Sequence, residues 1–447
     1  MSAEQRSGEP ASATRPRVAV ISVGDELIDG LYPDLNSPLI AREASALGLE
    51  VAGFRVVGDG IGALRDELLA LASQVDEIIV SGGLGPTEDD RTRAEVAAAA
   101  GVELFEDAQA LAEVRAWFEA RQRVWAESNR VQALFPRGAR VLANPVGTAP
   151  GFALRLQRAT VSCLPGPPRE LERLLRDHVL PRWKDLPGRT HVAVRRLHAS
   201  GISEAALGER IREWMRPTAG RRCGITARKG IHTIALRVEA ESAESAARQL
   251  VRWEGEARER LRDVLFGADG QTLQEVLVAA LAQRGLHVAT AESCTGGLIA
   301  RAITDVPGSS AVFGWGWVSY ANEAKTGALG VRAEVLERHG AVSAEIALEL
   351  AEGARRRSGA GLGIATTGIA GPTGGTAEKP VGLVWFAISF GGETRAYRRA
   401  WPPLGRSLVR DIASREALFL ALRTIEGHAP EAQVARPFEP ERGGFEA

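Results

Sequence analysis

The sequence predicts an α/β fold in three parts, and three observations predict it. Over the first 180 residues, short β-rich apolar runs alternate with segments of helical periodicity, which reads as parallel βαβ units. A second alternating stretch begins at Gln271. Between them, residues 190–267 carry too few elements for another doubly wound sheet and read as a compact α+β connector. The length of 447 residues fits, since domains run to roughly 100–200 residues each. The expected division is a tail at 1–16, an amino-terminal domain at 17–185, the connector at 186–267, a carboxyl-terminal domain at 271–426 and a second tail at 427–447.

The elements follow in order. Arg17–Val23 (RVAVISV) reads as a buried strand, Pro38–Leu47 as a helix, Val51–Val57 as a strand, Ala63–Ala72 as a helix and Glu77–Val80 as a strand. Asp89–Ala100 reads as a helix with acids in its first turn, where they suit the dipole. Gly151–Leu156 and Ala159–Leu164 form a strand pair, and Pro167–Val179 a helix. In the connector, strands are expected near 192–198 and 233–238, and helices near 203–214 and 242–264. Beyond the GADG turn at 267–270, helix 272–284, strand 287–291 and helix 297–303 lead to an aromatic strand at 311–320. Helices near 323–329, 334–339 and 344–358 precede strand 362–366, a hairpin across Gly391–Gly392 and a last helix at 406–423.

Composition excludes several classes. Lys and Arg total 55 against 56 Asp and Glu, so nothing marks the chain as a coat for nucleic acid or an anionic membrane. No apolar run reaches the ~18 residues a membrane helix needs. Three scattered cysteines (Cys163, Cys223, Cys294) offer neither a disulfide framework nor a four-cysteine zinc site, which fits a reducing cytoplasm. Residues 1–16 lack the apolar core of a signal peptide and read, like 427–447, as an unstructured tail.

Two groups of motifs carry chemistry. In the amino-terminal domain, SVGDEL (22–27) and SGGLGPTEDD (81–90) follow the first and third strands, at the edge where open α/β sheets bind ligands. Gly24, Gly82, Gly83 and Gly85 allow backbone N–H groups to close on an anion. Glu26, Asp89 and Asp90 converge on the same edge. Asp89 and Asp90 read either as helix caps or as ligands of a divalent metal that bridges carboxylates and a diphosphate. Asn129 and Gln132 read as contacts to a base or ribose, or as local backbone partners. Asp34 and Asn36 read as ligand contacts or caps, with Asn36 the better cap.

In the carboxyl-terminal domain, AESCTGG (291–297) follows a strand and opens a helix. Ser293 there is a helix cap or an exposed nucleophile, with oxyanion donors among the N–H groups of Cys294, Thr295, Gly296 and Gly297. A nucleophilic Ser needs a base. The chain has only seven His, and neither His287 nor His339 is placed for a triad. Lys is rare in this Arg-rich sequence, so Lys325 stands out. A buried Lys can become a neutral base, as Arg cannot. Trp315 and Trp317 alternate on one strand face and read first as core.

These motifs resemble a known family. The blocks GDEL, GGLGPTEDD, NRVQA (129–133), NPVGTAPG (144–151) and LPGPP (164–168) occur in the order of the amino-terminal half of the CinA (competence/damage-inducible protein A) family, which is similar to the molybdopterin-binding three-layer α/β fold. AESCTGG, the Tyr320–Lys325 block, TTGIAGPTGG (366–375) and KPVG (379–382) resemble its carboxyl-terminal domain, which is similar to nicotinamide mononucleotide (NMN) deamidase. The connector resembles the family least, with GITA (224–227) departing from its run.

The resemblance implies two activities in pyridine nucleotide salvage. The carboxyl-terminal domain is expected to convert NMN and water to nicotinate mononucleotide and ammonia, with Ser293 as nucleophile, Lys325 as base, Tyr320 assisting and no cofactor. Gly368, Gly371 and Gly374 are expected in its phosphate or ribose loop. The amino-terminal domain is expected to hydrolyse ADP-ribose with a divalent metal at Asp89 and Asp90. The resemblance further implies a cytoplasmic homodimer that acts on small nucleotides, without nucleic-acid or membrane partners. The competing reading is a molybdopterin- or nucleotide-binding regulatory protein without catalysis. A third leaves the amino-terminal domain as an assembly module.

Overall fold

The computed structural model describes residues 15–216 and 218–438; most of the first tail, and the last residues of the second, lie outside it. The chain divides into two compact units. One comprises residues up to Ala193 with Val238–Arg248, and the other Val194–Arg237 with everything from Gln249.

The first unit holds a six-stranded sheet in the order Glu50–Val57, Arg17–Val23, Glu77–Ser81, Ala159–Leu164, Gly151–Leu156, Arg140–Leu142. The first four strands pair in parallel, and the last two pairings are antiparallel. Strand periodicity sorts the core: Ala19, Ile21 and Val23 face one apolar layer, while Val18 and Val20 face the other. Helix Asn36–Ala46 places Ile40 and Ala44 in the second layer, and helix Ala63–Ala72 places Leu64 and Leu68 in the first.

Several elements depart from the sequence reading. The helix expected from Asp89 runs Thr92–Ala100, so Asp89 and Asp90 stand in the turn before it, not in its first turn. The segment after LPGPP is Pro168–Leu174, then a π-helical turn over Leu175–Val179, then Leu180–Lys184. Helix Ala108–Ala120, capped by Asp107, was not anticipated.

The connector is a four-stranded sheet in the order Arg221–Arg228, Ile231–Ala240, His191–Ala199, Leu265–Ala268, with helices Glu204–Arg210 and Ala243–Arg260. Its basic edge strand Arg221–Arg228 has no clean apolar alternation and escapes sequence reading for that reason.

A second six-stranded sheet, in the second unit, runs Phe313–Val318, Val288–Glu292, Leu362–Gly368, Leu383–Phe390, Glu393–Ala400, Val434–Pro437. The first three strands pair in parallel, and the three remaining pairings are antiparallel. Helix Leu273–Gln283 opens with a full capping box between Thr272 and Glu275. Helices Ala344–Ser358 and Arg406–Ile425 cover opposite faces of the sheet. Part of the second tail is therefore structured. Val434–Pro437 forms the edge strand, and Arg436 pairs through both Nε and Nη2 with the buried Glu352, at 2.8 Å each.

Among the described residues, no helix is long and apolar enough to cross a membrane.

Candidate functional site

In the first unit, the carboxyl ends of strands Arg17–Val23, Glu77–Ser81 and Ala159–Leu164 open on a cleft of about 530 Å³. Its wall brings together residues from distant motifs: Ser22 and Glu26, then Gly82–Gly85 and Asp90, then Thr148 and Ala149, then Pro165–Pro168 and Glu170. Parallel strands force this convergence, since each strand delivers its following loop to the same edge.

The glycine loop is built tightly. Gly82 has φ +104°, and a Cβ there would stand 2.5 Å from the Val23 carbonyl oxygen. The Gly82 N–H donates to Leu164 O at 3.0 Å. The Thr92 hydroxyl donates to Gly82 O at 2.8 Å, and its N–H to Gly83 O at 3.2 Å. The N–H groups of Gly83, Leu84 and Gly85 have no acceptor among the described residues. Gly24 stands behind Glu26, whose carboxylate folds over it.

Asp34, not Asn36, does the capping. Its Oδ1 accepts the N–H groups of Asn36 and Ser37 at 2.9 and 3.0 Å, and its Oδ2 the hydroxyls of Ser22 and Ser37. Burial alone would raise its carboxyl, but these four bonds outweigh burial and hold it below the usual carboxylate value. Asn36 instead ties strand ends together, donating to Ser81 Oγ and Gly166 O at 2.7 Å each.

The metal residues separate. Asp90 lines the cleft, and its Oδ2 accepts the Thr87 N–H and hydroxyl. Asp89 is exposed and outside the lining. Among the described residues, no three His, Cys, Asp or Glu side chains gather as a metal-ligand set. Glu26 and Asp90 both border the cleft, a donor set that suits a magnesium-type ion with water and phosphate oxygens as its other ligands and does not suit an ion caged by protein alone. Asn129 and Gln132 are buried, bonded to each other at 3.3 Å, and outside the cleft lining. Glu170, which sequence reading missed, lines the cleft and accepts from Asn144 Nδ2 at 2.7 Å. The NPVGTAPG loop owes its shape to the same Asn144, whose Oδ1 accepts the Val146 and Gly147 N–H groups.

In the second unit, Ser293 leaves strand Val288–Glu292 at its carboxyl end, half-buried, with its N–H on Thr366 O at 3.0 Å. The helix that follows is Leu298–Thr304, and its amino end is already occupied. The buried Glu292 carboxylate accepts the N–H groups of Gly297, Ile299 and Ala300 at 2.8–3.0 Å. The Gly296 N–H donates to Ser293 O. Of the four expected oxyanion donors, Gly296 and Gly297 are spent, while the N–H groups of Cys294 and Thr295 have no backbone acceptor among the described residues and turn instead to the Cys294 thiol.

Lys325 lies on helix Asn322–Leu329 and is 1% exposed. Its ammonium donates to the carbonyls of Ser319 (2.9 Å), Tyr320 (3.0 Å) and Ala321 (3.4 Å). Burial lowers its pKa, against a partial opposing effect from Cys294. Among the described residues, neither the Ser293 nor the Tyr320 hydroxyl hydrogen-bonds the amine. Tyr320 is 59% exposed, and its hydroxyl accepts from Arg406 Nη2 at 2.8 Å. Cys294 is buried, and burial pushes its thiol up to about 12.

Arginines from the last helix brace this region. Arg410 donates to the carbonyls of Cys294 and Thr295 at 3.1 and 2.8 Å. Arg406 bridges Tyr320 to Gly371 O. Gly371 precedes a cis Pro372, Gly368 ends its strand, and Gly374 lies in an exposed loop. Arg406 and Arg410, which at the start of the last helix read from sequence as phosphate contacts or a solvated face, instead hold backbone carbonyls and the Tyr320 hydroxyl, and Glu292 is the site residue the sequence reading did not single out. Glu292 was legible only as part of AESCTGG.

The chain matches three family descriptions: "Probable molybdopterin binding domain" over residues 19–185, "Damage-inducible protein CinA KH domain" over 194–267 and "CinA C-terminal domain" over 270–425. A relative from Moorella thermoacetica is 41% identical over 410 residues, covering 91% of this chain and 98% of its own. A "CinA-like protein" of Syntrophus aciditrophicus is 40% identical over 420 residues, covering 93% and 100%. The solved competence/damage inducible protein CihA of Agrobacterium tumefaciens is 46% identical, covers 34% of this chain and 93% of its own, and has a TM-score of 0.34. With relatives this similar over nearly their whole length, the chain belongs to the CinA family of competence-damage inducible proteins.

Proposed function

We propose that the second unit hydrolyses the carboxamide of NMN to nicotinate mononucleotide and ammonia. Two observations support this reading: a half-buried Ser293 at a strand-end turn, and a buried Lys325 amine whose charge burial disfavours and which feels an opposing effect from Cys294, the residue after Ser293. The Ser293 hydroxyl attacks the carboxamide carbon and passes its proton to neutral Lys325. The Cys294 and Thr295 N–H groups receive the oxyanion. Lys325 returns the proton to the departing amine, which leaves as ammonia. Water then attacks the acyl-serine, with Lys325 taking its proton and returning it to Ser293 Oγ. Neutral Lys325 retains only two N–H donors, so the long 3.4 Å bond to Ala321 is the one it gives up. Cys294 is the weaker candidate because its buried thiol does not ionise near neutral pH.

Ammonia released from NMN by wild type, Ser293→Ala and Lys325→Ala tests the reading. Ser293→Ala falls to background, and Lys325→Ala loses roughly 10²–10⁴-fold, the span of a general base. Release by Ser293→Ala at the wild-type rate sinks it.

For the first unit, the three unspent N–H groups of Gly83–Gly85 favour a phosphate-bearing ligand. The reading is hydrolysis of ADP-ribose to AMP and ribose 5-phosphate. Glu26 and Asp90 would hold a divalent ion there, which would supply neutralisation of charge on the diphosphate. Asp90→Ala abolishes ADP-ribose turnover, and an unaffected rate leaves Asp90 a turn residue only.

A further inference from the structure

The cleft wall of the first unit carries Glu26, Asp34, Asp90 and Glu170 but no Lys, Arg or His. A diphosphate entering it meets like charge. One cation lies directly behind the wall. Arg93, the second residue of helix Thr92–Ala100, is 2% exposed. It forms no ion pair among the described residues, and its Nε has no partner there. Its Nη1 donates to Leu84 O at 3.0 Å and its Nη2 to Gln132 O at 3.4 Å, beneath the Phe135 ring. A guanidinium buried this deeply is costly, with the charge of Asp90 offsetting burial only in part, and the amino end of a helix is the wrong end for a cation.

The bond to Leu84 has a geometric effect. In a planar trans peptide, C=O and N–H point in opposite directions. Drawing the Leu84 carbonyl back towards Arg93 turns the Gly85 N–H away from Arg93, and that N–H is one of the three without an acceptor. Leu84 and Gly85 both line the cleft.

We infer that Arg93 is a positioning residue for anionic ligands of the first unit. Through Leu84 O it aims the Gly85 N–H at a ligand phosphate, and a bound phosphate adds to the partial balance that Asp90 already gives its buried charge. This rests on the cleft being the ADP-ribose site. It explains how a wall of carboxylates holds a phosphate, and what occupies an otherwise unfavourable position. Burial lowers the guanidinium to about 10, so it stays charged at neutral pH.

Calorimetric titration of the full chain with ADP-ribose and, separately, adenosine, both with magnesium, tests this. Arg93→Gln keeps an amide donor but no charge, and Arg93→Lys keeps the charge. Arg93→Gln is expected to weaken ADP-ribose at least tenfold and adenosine less than twofold, with Arg93→Lys recovering most of the loss. Unchanged ADP-ribose affinity in Arg93→Gln overturns the inference, as does equal weakening of both ligands, which marks a structural role. Should Arg93→Gln not fold, Arg93→Lys decides: near wild-type ADP-ribose affinity supports the charge, and a loss matched by adenosine overturns it. Wild type that binds neither ligand removes the cleft reading itself, a different failure from a variant that binds as well as wild type.

Discussion

Lys325 is held by three carbonyls and shielded from water, so its charge state decides what it can do. Burial lowers its pKa from the ordinary 10.5. A base must be neutral, and Lys becomes neutral as pH rises, so ammonia release from NMN should climb with pH along a limb centred below 10.5 and then level off. A limb centred at or above that value would remove Lys325 as the base. Asp34 gives the opposite kind of test. Its four hydrogen bonds hold its native pKa below 3.8, so its contribution to stability is present above 3.8 and is lost as pH falls through the lower native value. Asp34→Asn should therefore flatten the acid limb of thermal stability, and an unchanged acid limb contradicts this. At this scale, residue types and spacings made Ser293, Lys325 and the glycine loop legible. Arg93 was not legible, and Arg406 and Arg410 could be read only as phosphate contacts or a solvated helix face, because all three act on backbone carbonyls, which leave no mark in a sequence.

Elements with strong periodicity could be read nearly to the residue: Ala63–Ala72, Gly151–Leu156, Ala159–Leu164 and Ala344–Ser358 stand where their apolar spacing put them. The final strand could not. Val434–Pro437 is short and ends in Pro, and it becomes a strand only because Glu393–Ala400 pairs with it and the buried Glu352 awaits Arg436. Glu352 also faces Arg356, at 3.6 Å. Arg436→Ala leaves this carboxylate buried with one distant partner. It should lower stability by about 3 kcal/mol, at the lower end for a broken buried pair because the Arg436 side chain is 27% exposed. Urea denaturation measures it, and an unchanged midpoint would make the strand a passive edge.

The whole molecule places its two candidate sites in different compact units, although the chain crosses between those units three times, at 193/194, 237/238 and 248/249. Independent sites should show additive effects. Ser293→Ala should remove ammonia release and leave ADP-ribose turnover intact, Asp90→Ala should do the reverse, and a cross-effect in either assay would reveal coupling. The two sites also share a plan: each lies where parallel strands end and a glycine-rich turn begins, which is why both motif groups could be read without coordinates. Cys294 adds a practical consequence. A sulfur beside the proposed nucleophile would ordinarily be a weak point, open to alkylation by iodoacetamide and to peroxide. Sealed in an apolar setting that keeps it un-ionised, it offers electrophiles almost no thiolate, so turnover in the second unit should survive oxidative stress that silences enzymes with an exposed reactive cysteine.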